Sequence, residues 1–368
     1  MDADRTTNRR QFLTGQAATE ALADLATRGE VSPSSPPTAD PAAEPYLLQL
    51  GRRAMACRFE AYLNAGQYPH ATQTVLEALD LIDQLEAQMT VYRDSSELAN
   101  INRLAAQEPV RVERRLFELF ERAAELHRQT RGAFDITSGP LTKVWGFFRR
   151  QGAVPGDADL AAALAKVSGD NLQLDANAGT TRFLVAGMEL NLGAIGKGYA
   201  LDRVAELMLA AGVGDFLWHG GQSSILARGS RSGGEGGWLV SLRHPLRPER
   251  TLAEIRLRDR ALGTSGSGTQ FFRHRGKRYG HILDPRTGRP AEGVFSATLL
   301  APTAAEADAL ATACYVLGAE QALALCGGRS DLGLLMLVPG SGQSAVEFVT
   351  SGLTEADWRL TGDVGPVR

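Results

Sequence analysis

The segment 302–318, PTAAEADALATACYVLG, constrains the fold more than any other part of the chain. Thr303 followed three residues later by Glu306 is the pattern of a capping box, which predicts a helix that starts at Thr303. Apolar residues spaced by four and three predict one buried stripe on this helix, formed by Leu310, Cys314 and Leu317. Alanines fill most of the flanks, so neighbouring backbone or a flat ligand can approach closely.

Two polar residues of this helix, Asp308 and Thr312, lie four positions apart, so a carboxylate and a hydroxyl are predicted to stack one turn apart. At about 100° per residue they sit roughly 160° from the apolar stripe. Two oxygen donors on an otherwise apolar helix suit a hard cation such as Mg²⁺. The same pattern is also compatible with an exposed aspartate and a threonine that bonds its own helix backbone.

Composition excludes several classes of protein. The chain has 368 residues with 39 basic and 42 acidic side chains, a net charge of −3, which gives no indication of a nucleic-acid or anionic-membrane partner. Its three cysteines, at 57, 314 and 326, form no C-x-x-C pair, which argues against a disulfide scaffold or a structural zinc site. No uninterrupted apolar run reaches transmembrane length, so no transmembrane segment is predicted.

The N-terminal 45 residues differ in composition from the rest of the chain. Residues 8–14, NRRQFLT, resemble the core of a twin-arginine export signal, but Glu20, Asp24 and Arg28 interrupt the apolar run that such a signal needs. Residues 31–45 form a linker rich in proline, serine and alanine. The segment is interpreted either as a degenerate export signal or as a short amphipathic or disordered tail that only resembles one. Both a cytoplasmic and an exported, periplasmic location therefore stay open.

A folded domain is predicted over residues 46–368. Helices are predicted at 70–89, from 95, at 113–130, 157–167 and 197–211, in addition to the one that starts at Thr303. Strands are predicted within 46–65 and at 171–175, 180–185, 188–192, 215–219, 223–228, 237–243, 251–258, 294–301, 332–338 and 344–350, with a hairpin over 271–283. Helices clustered early and strands dominating later indicate an α+β fold.

Three further segments carry chemically informative residues. In 191–207 a predicted strand meets a helix through glycines 193, 196 and 198, with Lys197 among them, a turn that can present backbone N–H groups to a phosphate. The spacing is neither a Walker A loop nor a dinucleotide-binding G-x-G-x-x-G, so a plain structural turn is the alternative. In 276–290, His281 and Asp284 stand at a strand end and, with Arg286, could grip a phosphate or shuttle a proton. A solvated surface turn is the alternative there.

The segment 132–147 is interpreted as a loop. It combines Phe134, Asp135 and Trp145, which suits a ring system with hydrogen-bonding edges or, equally, core packing. Residues 261–272, ALGTSGSGTQFF, offer serines in what is interpreted as a glycine turn. They do not spell G-x-S-x-G, so a serine-hydrolase elbow is not supported.

Seven motifs in this order resemble the ApbE family of FAD:protein FMN transferases over about residues 46–355. The motifs are M-x-x-x-F at Met55, M-T-V-Y-R at Met89, G-A-F-D-I-T-S-G-P at Gly132, G-A-I-G-K-G-Y-A-L-D at Gly193, T-S-G at Thr264, K-R-Y-G-H-I-L-D-P-R-T-G at Lys277 and E-A-D-A-L-A-T-A at Glu306. The resemblance implies an ApbE-like (T-fold-like) architecture with helices packed on antiparallel sheets. It also implies Mg²⁺-dependent transfer of FMN from FAD to a Ser/Thr hydroxyl of an acceptor flavoprotein, through a phosphoester bond and with release of AMP.

The resemblance also implies site residues. A metal would be held by Asp308, Thr312 and the backbone carbonyl of Ala194. Lys197 would lie near the phosphates, and His281 next to the reacting ones, where either His281 or Asp284 would be the base. The flavin and adenine pockets would be lined by Met55, Tyr92, Ala133, Phe134 and Asp135.

The chain departs from the family at Asn191, where many members have an aspartate that contacts FAD, so the polarity of that contact changes. Two other functions remain open from the sequence. One is a Mg²⁺-dependent FAD pyrophosphatase that uses water as the acceptor. The other is a flavin-binding protein without turnover.

Overall fold

The computed structural model describes residues 46–231, 236–244, 247–266, 268, 270–340 and 346–361. The predicted tail and possible export signal at 1–45 lie outside these residues. The α-helices are α1 Ala71–Met89, α2 Glu97–Leu104, α3 Arg114–Gln129, α4 Gly139–Val144, α5 Asp157–Leu164, α6 Gly196–Ala210 and α7 Ala304–Cys326. The strands are β1 Leu47–Ala54, β2 Cys57–Asn64, β3 Val110–Arg111, β4 Leu172–Asp175, β5 Thr180–Phe183, β6 Phe216–Gly220, β7 Ser224–Arg228, β8 Trp238–His244, β9 Arg247–Leu257, β10 Arg260–Gly266, β11 Phe271–His274, β12 Lys277–Gly280, β13 Ser296–Ala301, β14 Gly333–Pro339, β15 Val346–Ser351 and β16 Trp358–Leu360.

An antiparallel eight-stranded sheet, in the order β1-β2-β6-β7-β10-β13-β14-β15, is the centre of the fold. Side chains alternate between its two faces. One face, with Phe59 and Trp218, packs against α1, α6 and α7 in the main core. The other face, with Ile225 and Leu262, packs against the three-stranded sheet β16-β9-β8. The α+β class predicted from the sequence is therefore confirmed.

Helix α7 lies against the central sheet at very short range. Thr303 caps its start by accepting a hydrogen bond from Glu306 N at 3.3 Å. A Cβ on Gly198 of α6 would overlap the carbonyl oxygen of Ala304, and a Cβ on Gly263 of β10 would overlap that of Ala307. This alanine-rich helix therefore admits neighbouring backbone at close range, one of the two outcomes expected from the sequence. The Glu306 carboxylate does not complete a reciprocal capping box, since it pairs with Arg122 and Arg329.

Helix α7 folds back on itself at Gly318, where φ is 76° and ψ is 173°. The Sγ atoms of Cys314 and Cys326 lie 4.0 Å apart, whereas twelve residues of straight helix span about 18 Å. Among the described helices this one is long and apolar enough, by composition, to cross a membrane. Its first half is buried against α6 and the central sheet, which makes it a core element of this domain.

Three local sequence interpretations were wrong. Residues 188–192 were predicted to be a strand. They form only an isolated bridge, between Glu189 and Ser138, because no named strand pairs with this segment on either edge. Residues 261–266, the first part of the segment 261–272 that was interpreted as a glycine turn, belong to β10 in the middle of the central sheet, where Gly263 allows close contact with α7. The short helix α4 lies inside a segment that was expected to be a loop.

Replacing Gly198 by alanine should destabilise the protein, because the new methyl group would meet the Ala304 carbonyl and push α6 from α7. Overpacking of this kind costs about 1–3 kcal/mol in the free energy of unfolding. Gly196→Ala is the matched control in the same helix, since a Cβ there meets Leu192 Cβ at 3.6 Å, an ordinary contact. Urea unfolding followed by tryptophan fluorescence measures both, and equal stability of the two variants would contradict the packing described.

Candidate active site

The Asp308 carboxylate is 7% exposed and points toward the glycine turn at the start of α6. Its Oδ2 atom accepts hydrogen bonds from Gly198 N at 2.8 Å and from Ser224 Oγ at 2.7 Å. Burial raises the pKa of Asp308, while the positive charge of Lys197 and these two bonds oppose the rise. Both bonds from the described residues reach Oδ2, so Oδ1 is available to a further partner.

Lys197 connects the glycine turn to the Asp308 carboxylate. Its Nζ donates to Ser223 Oγ at 2.6 Å and to Ser224 Oγ at 2.8 Å. Ser224 in turn donates to Asp308, so a cation, a hydroxyl and a carboxylate form a continuous chain. Lys197, Ser223, Ser224 and Asp308 are called the Asp308 cluster below.

Thr312 lies one turn beyond Asp308 and is half-buried. Its Oγ1 donates to the Asp308 backbone carbonyl at 3.1 Å and lies 2.8 Å from Ser265 Oγ on β10. The alternative interpretation, an exposed aspartate and a threonine that bonds its own helix backbone, is therefore half right. Asp308 is buried, whereas Thr312 does bond the helix backbone. Ala194, the third predicted metal ligand, is two residues before α6 in the same glycine turn as Lys197.

A magnesium ion is compatible with this set of oxygen donors. Among the described residues, no three His, Cys, Asp or Glu side chains cluster closely enough to hold a metal ion by themselves. Softer metal ions generally need such a cluster of protein ligands. Mg²⁺ usually takes one or two carboxylates, keeps several waters and is completed by substrate phosphates. A buried carboxylate with one available oxygen, beside a threonine hydroxyl, meets that requirement.

A second buried carboxylate, Asp202, holds the same two helices together. Its two oxygens accept hydrogen bonds from Ala304 N at 2.7 Å and Ala305 N at 2.9 Å, and so cap the start of α7. Burial raises the pKa of Asp202 to about 7 in spite of these bonds. Because both oxygens serve the helix cap, Asp202 has a structural role.

The imidazole of His281 lies at the base of the β11–β12 hairpin. Its Nδ1 is 3.0 Å from the carbonyl oxygen of Gln270, and since a carbonyl only accepts, Nδ1 carries the proton. Burial and the charge of Lys197 lower the pKa of His281 below its ordinary 6.5, against the bond to Gln270, which raises it. His281 is therefore within electrostatic reach of the Asp308 cluster and is neutral at pH 7, with Nε2 as the acceptor.

Asp284, three residues further on, is held by its own turn. Its Oδ1 accepts from the backbone N of Arg286 and from Nε, both at 2.9 Å, and its Oδ2 accepts from Nη2 at 2.8 Å. The Asp284 carbonyl also accepts from Gly288 N at 2.8 Å. This carboxylate orders the turn after His281.

Of the residues predicted to line the flavin and adenine pockets, Ala133, Phe134 and Asp135 are buried. Although burial opposes it, the His127 imidazole, with Nδ1 3.2 Å from Oδ2, and hydrogen bonds from the hydroxyl and N–H of Thr137 hold the pKa of Asp135 below its usual value. Asp135 lines one side of a cavity of about 460 Å³ whose other walls include Arg286. The structure thus brings the segment at 132–135 beside the turn at 284–288.

Asn191 lines a second cavity, of about 220 Å³, and Tyr92 contacts one of the residues in its wall. Asn191 lines it together with Phe148, and the exposed Tyr92 ring stacks on Phe148 with ring centroids 4.8 Å apart. Asn191 Oδ1 accepts from Gly193 N at 2.8 Å, a bond that an aspartate could make equally. The amide nitrogen of Asn191 is the part that changes the polarity of this position.

Met55 forms, with Ala56, the two-residue turn between β1 and β2, and both have positive φ, 48° and 59°. Asparagine and glycine normally occupy such turns because other side chains strain the backbone there. Strain of this kind concentrates at functional sites.

Ser223, Ser224 and Ser265 were missed by the sequence interpretation as contributors to the site. A signal for the first two is their position just after the glycine pair at 220–221 and Gln222, where β6 turns into β7. Ser265 belongs to the T-S-G motif, which was recognised but given no role.

Comparison with known proteins places the chain in a family. The ApbE family model matches residues 55–336. An FAD:protein FMN transferase of Treponema pallidum is 35% identical over 277 residues, which cover 72% of this chain and 76% of the relative. One of Salmonella typhimurium is 34% identical over 257 residues, covering 68% and 71%.

Solved structures of the family share the fold. The ApbE protein of Thermotoga maritima has a TM-score of 0.74 at 27% identity, over 81% of this chain and 96% of that one. The flavin transferase ApbE of Vibrio cholerae has a TM-score of 0.70 at 28% identity, over 86% and 97%. Because the family match covers well over half of its length, this chain is a member of the ApbE family.

Proposed function

We propose that this protein transfers FMN from FAD to a serine or threonine hydroxyl of an acceptor flavoprotein, in a Mg²⁺-dependent reaction that makes a phosphoester and releases AMP. The observation that carries the proposal is the Asp308 cluster, in which a buried carboxylate is bonded to the N-terminal turn of α6 and to a lysine through one serine. Family relatives named FAD:protein FMN transferase support the same reaction.

The proposed metal ligands are Asp308 Oδ1, the Thr312 hydroxyl and the Ala194 carbonyl. A bound Mg²⁺ would supply neutralisation of charge on the pyrophosphate and on the leaving AMP. Lys197 and the N–H groups of the glycine turn would bind the phosphate oxygens. Phosphoryl transfer depends mainly on such positioning and charge stabilisation.

In the transfer step, the acceptor oxygen forms a bond to the phosphorus of FMN while the bond from that phosphorus to the AMP oxygen breaks. The acceptor hydroxyl loses its proton to Nε2 of His281, which is neutral near pH 7 because burial and Lys197 lower its pKa. Asp284 is engaged by Arg286 and is better suited to hold the turn than to take this proton.

The flavin and adenine contacts remain proposals. Met55, Tyr92 and Asn191 present side chains that are at least partly exposed, so these could face the ligand directly. The side chains of Ala133 and Phe134 are 1% exposed, so this segment would meet FAD through its backbone, with the Asp135 carboxylate fixing the loop.

One experiment tests the reaction and separates it from its alternatives. The protein is incubated with FAD, Mg²⁺ and candidate acceptor flavoproteins, and the products are run on a denaturing gel and analysed for nucleotides. Flavin fluorescence on the acceptor band together with AMP supports transfer. Free FMN and AMP without a labelled band would identify a pyrophosphatase, and intact FAD under single-turnover conditions would identify a carrier.

Asp308→Asn should lower the transfer rate by at least about 100-fold and abolish its response to Mg²⁺, because the neutral amide removes the sole carboxylate proposed to hold the ion. The rate against Mg²⁺ concentration and Mn²⁺ binding by electron paramagnetic resonance measure this loss. Asp202→Asn is the matched control, a buried carboxylate between the same helices that should change stability alone. An unaltered Mg²⁺ response in Asp308→Asn would refute the metal assignment.

Transfer by the wild type should be independent of pH between about 7 and 8 and fall in acid, with a midpoint below the ordinary histidine value of 6.5, because burial and the charge of Lys197 lower the pKa of His281. His281→Gln should lose about 100-fold or more in rate and lose this acid limb. Rates across pH in the wild type, His281→Gln and His70→Gln, a control on a histidine at the start of α1, give the comparison. An acid limb that persists in His281→Gln would assign the proton transfer to another group.

A further inference from the structure

The β11–β12 hairpin carries an unusual density of positive charge. Its residues 273–278 read RHRGKR, and all six are exposed. The chain as a whole has a net charge of −3, so the hairpin is opposite in sign to the rest of the protein. Like charges this close repel one another and cost stability unless something compensates them.

A second segment adds two more arginines beside this hairpin. Gly152 lies against the ring of Phe272, where any Cβ would meet the ring at van der Waals overlap. Phe147 and Phe272 pack with ring centroids 5.5 Å apart. The exposed Arg149 and Arg150 lie between these two contacts along the chain, so the two segments present their charges together.

Part of this charge has a partner within the chain. Lys277 pairs with Glu292 at 2.9 Å, and the Arg278 guanidinium lies 3.9 Å from the centre of the Phe271 ring. Within the described part of the chain, no carboxylate pairs with four other arginines. These four, Arg149, Arg150, Arg273 and Arg275, are called the basic surface.

The basic surface adjoins the candidate active site on two sides. The hairpin closes at His281, whose backbone N and Nδ1 both contact the Gln270 carbonyl at its base. In the other segment, Phe148 precedes Arg149, lines the cavity with Asn191 and stacks on Tyr92. The basic surface is therefore next to both the proposed base and the proposed flavin contacts.

We propose that the basic surface docks an acidic segment of the acceptor polypeptide, close in sequence to the hydroxyl that receives FMN. The proposal rests on the proposed function. At about 3.3 Å per residue, the hairpin tip is roughly 15–20 Å from His281, the span of about five extended residues. Acidic residues at that distance from the reactive hydroxyl would meet the arginines while the hydroxyl meets His281.

FAD and large polyanions fit this surface less well than an acidic polypeptide does. The phosphates of FAD have the partly buried Lys197 and the glycine turn as donors, whereas the four arginines are exposed. The net charge of −3 disfavours a nucleic acid or an anionic membrane as partner. Exposed charges of this kind mainly raise association rates and select partners, as docking of an acceptor requires.

The test uses two charge-reversal pairs and one matched control. The test variants are Arg273→Glu with Arg275→Glu, and Arg149→Glu with Arg150→Glu. The control is Arg247→Glu with Arg250→Glu, which makes the same charge change on exposed residues of β9, in the sheet that covers the other face of the central sheet. The probe is a fluorescein-labelled peptide of about 20 residues with one threonine flanked by aspartate and glutamate, compared with a lysine-flanked peptide by fluorescence anisotropy.

The acidic peptide should bind the wild type and the control, bind each test variant about tenfold more weakly or worse, and bind less as salt rises. No binding to the wild type, or equal binding to all the proteins, would overturn the proposal. A tenfold loss of FAD affinity in the test variants, measured by flavin fluorescence, would instead assign the surface to FAD. Loss of binding only to vesicles with 30% phosphatidylserine would assign it to a membrane.

This binding measurement, combined with the transfer assay on the denaturing gel, separates failure of the docking surface from failure of the proposed function. If the wild type binds the acidic peptide but labels no acceptor on the denaturing gel, the docking surface is supported and the proposed transferase activity is contradicted. Equal rates of acceptor labelling by the wild type and all variants would support the transferase activity and contradict the docking surface.

Discussion

The buried Asp308 carboxylate is the interaction on which the rest of the structure depends. It joins three elements that are distant in sequence: helix α7, the first turn of α6 and the start of β7. Burying a carboxylate costs several kcal/mol, and an ion pair with lysine offsets this only when hydrogen bonds satisfy both groups. Hydrophobic residues of similar volume would stabilise such a position as well or better. A buried carboxylate at position 308 is therefore better explained by contact with a ligand than by a contribution to stability.

Close packing of backbone fixes the position of this carboxylate. Gly198 and Gly263 allow α6 and β10 to contact the backbone of α7 directly, where side chains would hold the elements apart. Asp202 adds a second link by capping the start of α7 from α6. The precision that the proposed phosphoryl transfer requires would thus come from glycine contacts and helix caps that are part of the core itself.

Local signals made much of the fold predictable from the sequence. The cap at Thr303 and the apolar periodicity of the helices depend on residues a few positions apart, and the α+β class followed from their order. Strand β10 could not be predicted in this way, because its glycines and serines are typical of a turn and only its neighbours in the sheet identify it as a strand. The contact of Ser224 with Asp308 spans 84 positions, so no local pattern could indicate it. The sequence also left His281 and Asp284 as equal candidates for the base. The structure distinguishes them, because the guanidinium of Arg286 engages the Asp284 carboxylate.

The two charged regions of the protein operate under different physical conditions. Asp308 is removed from water, so salt screens its interaction with Lys197 little. The arginines of the basic surface are in solvent, where each contact is weak and falls with ionic strength. A buried cluster suits a nucleotide that must be held in one geometry for chemistry. An exposed basic surface suits a polypeptide that must arrive, present one hydroxyl and leave, so the division of charge matches a reaction with one small and one large substrate.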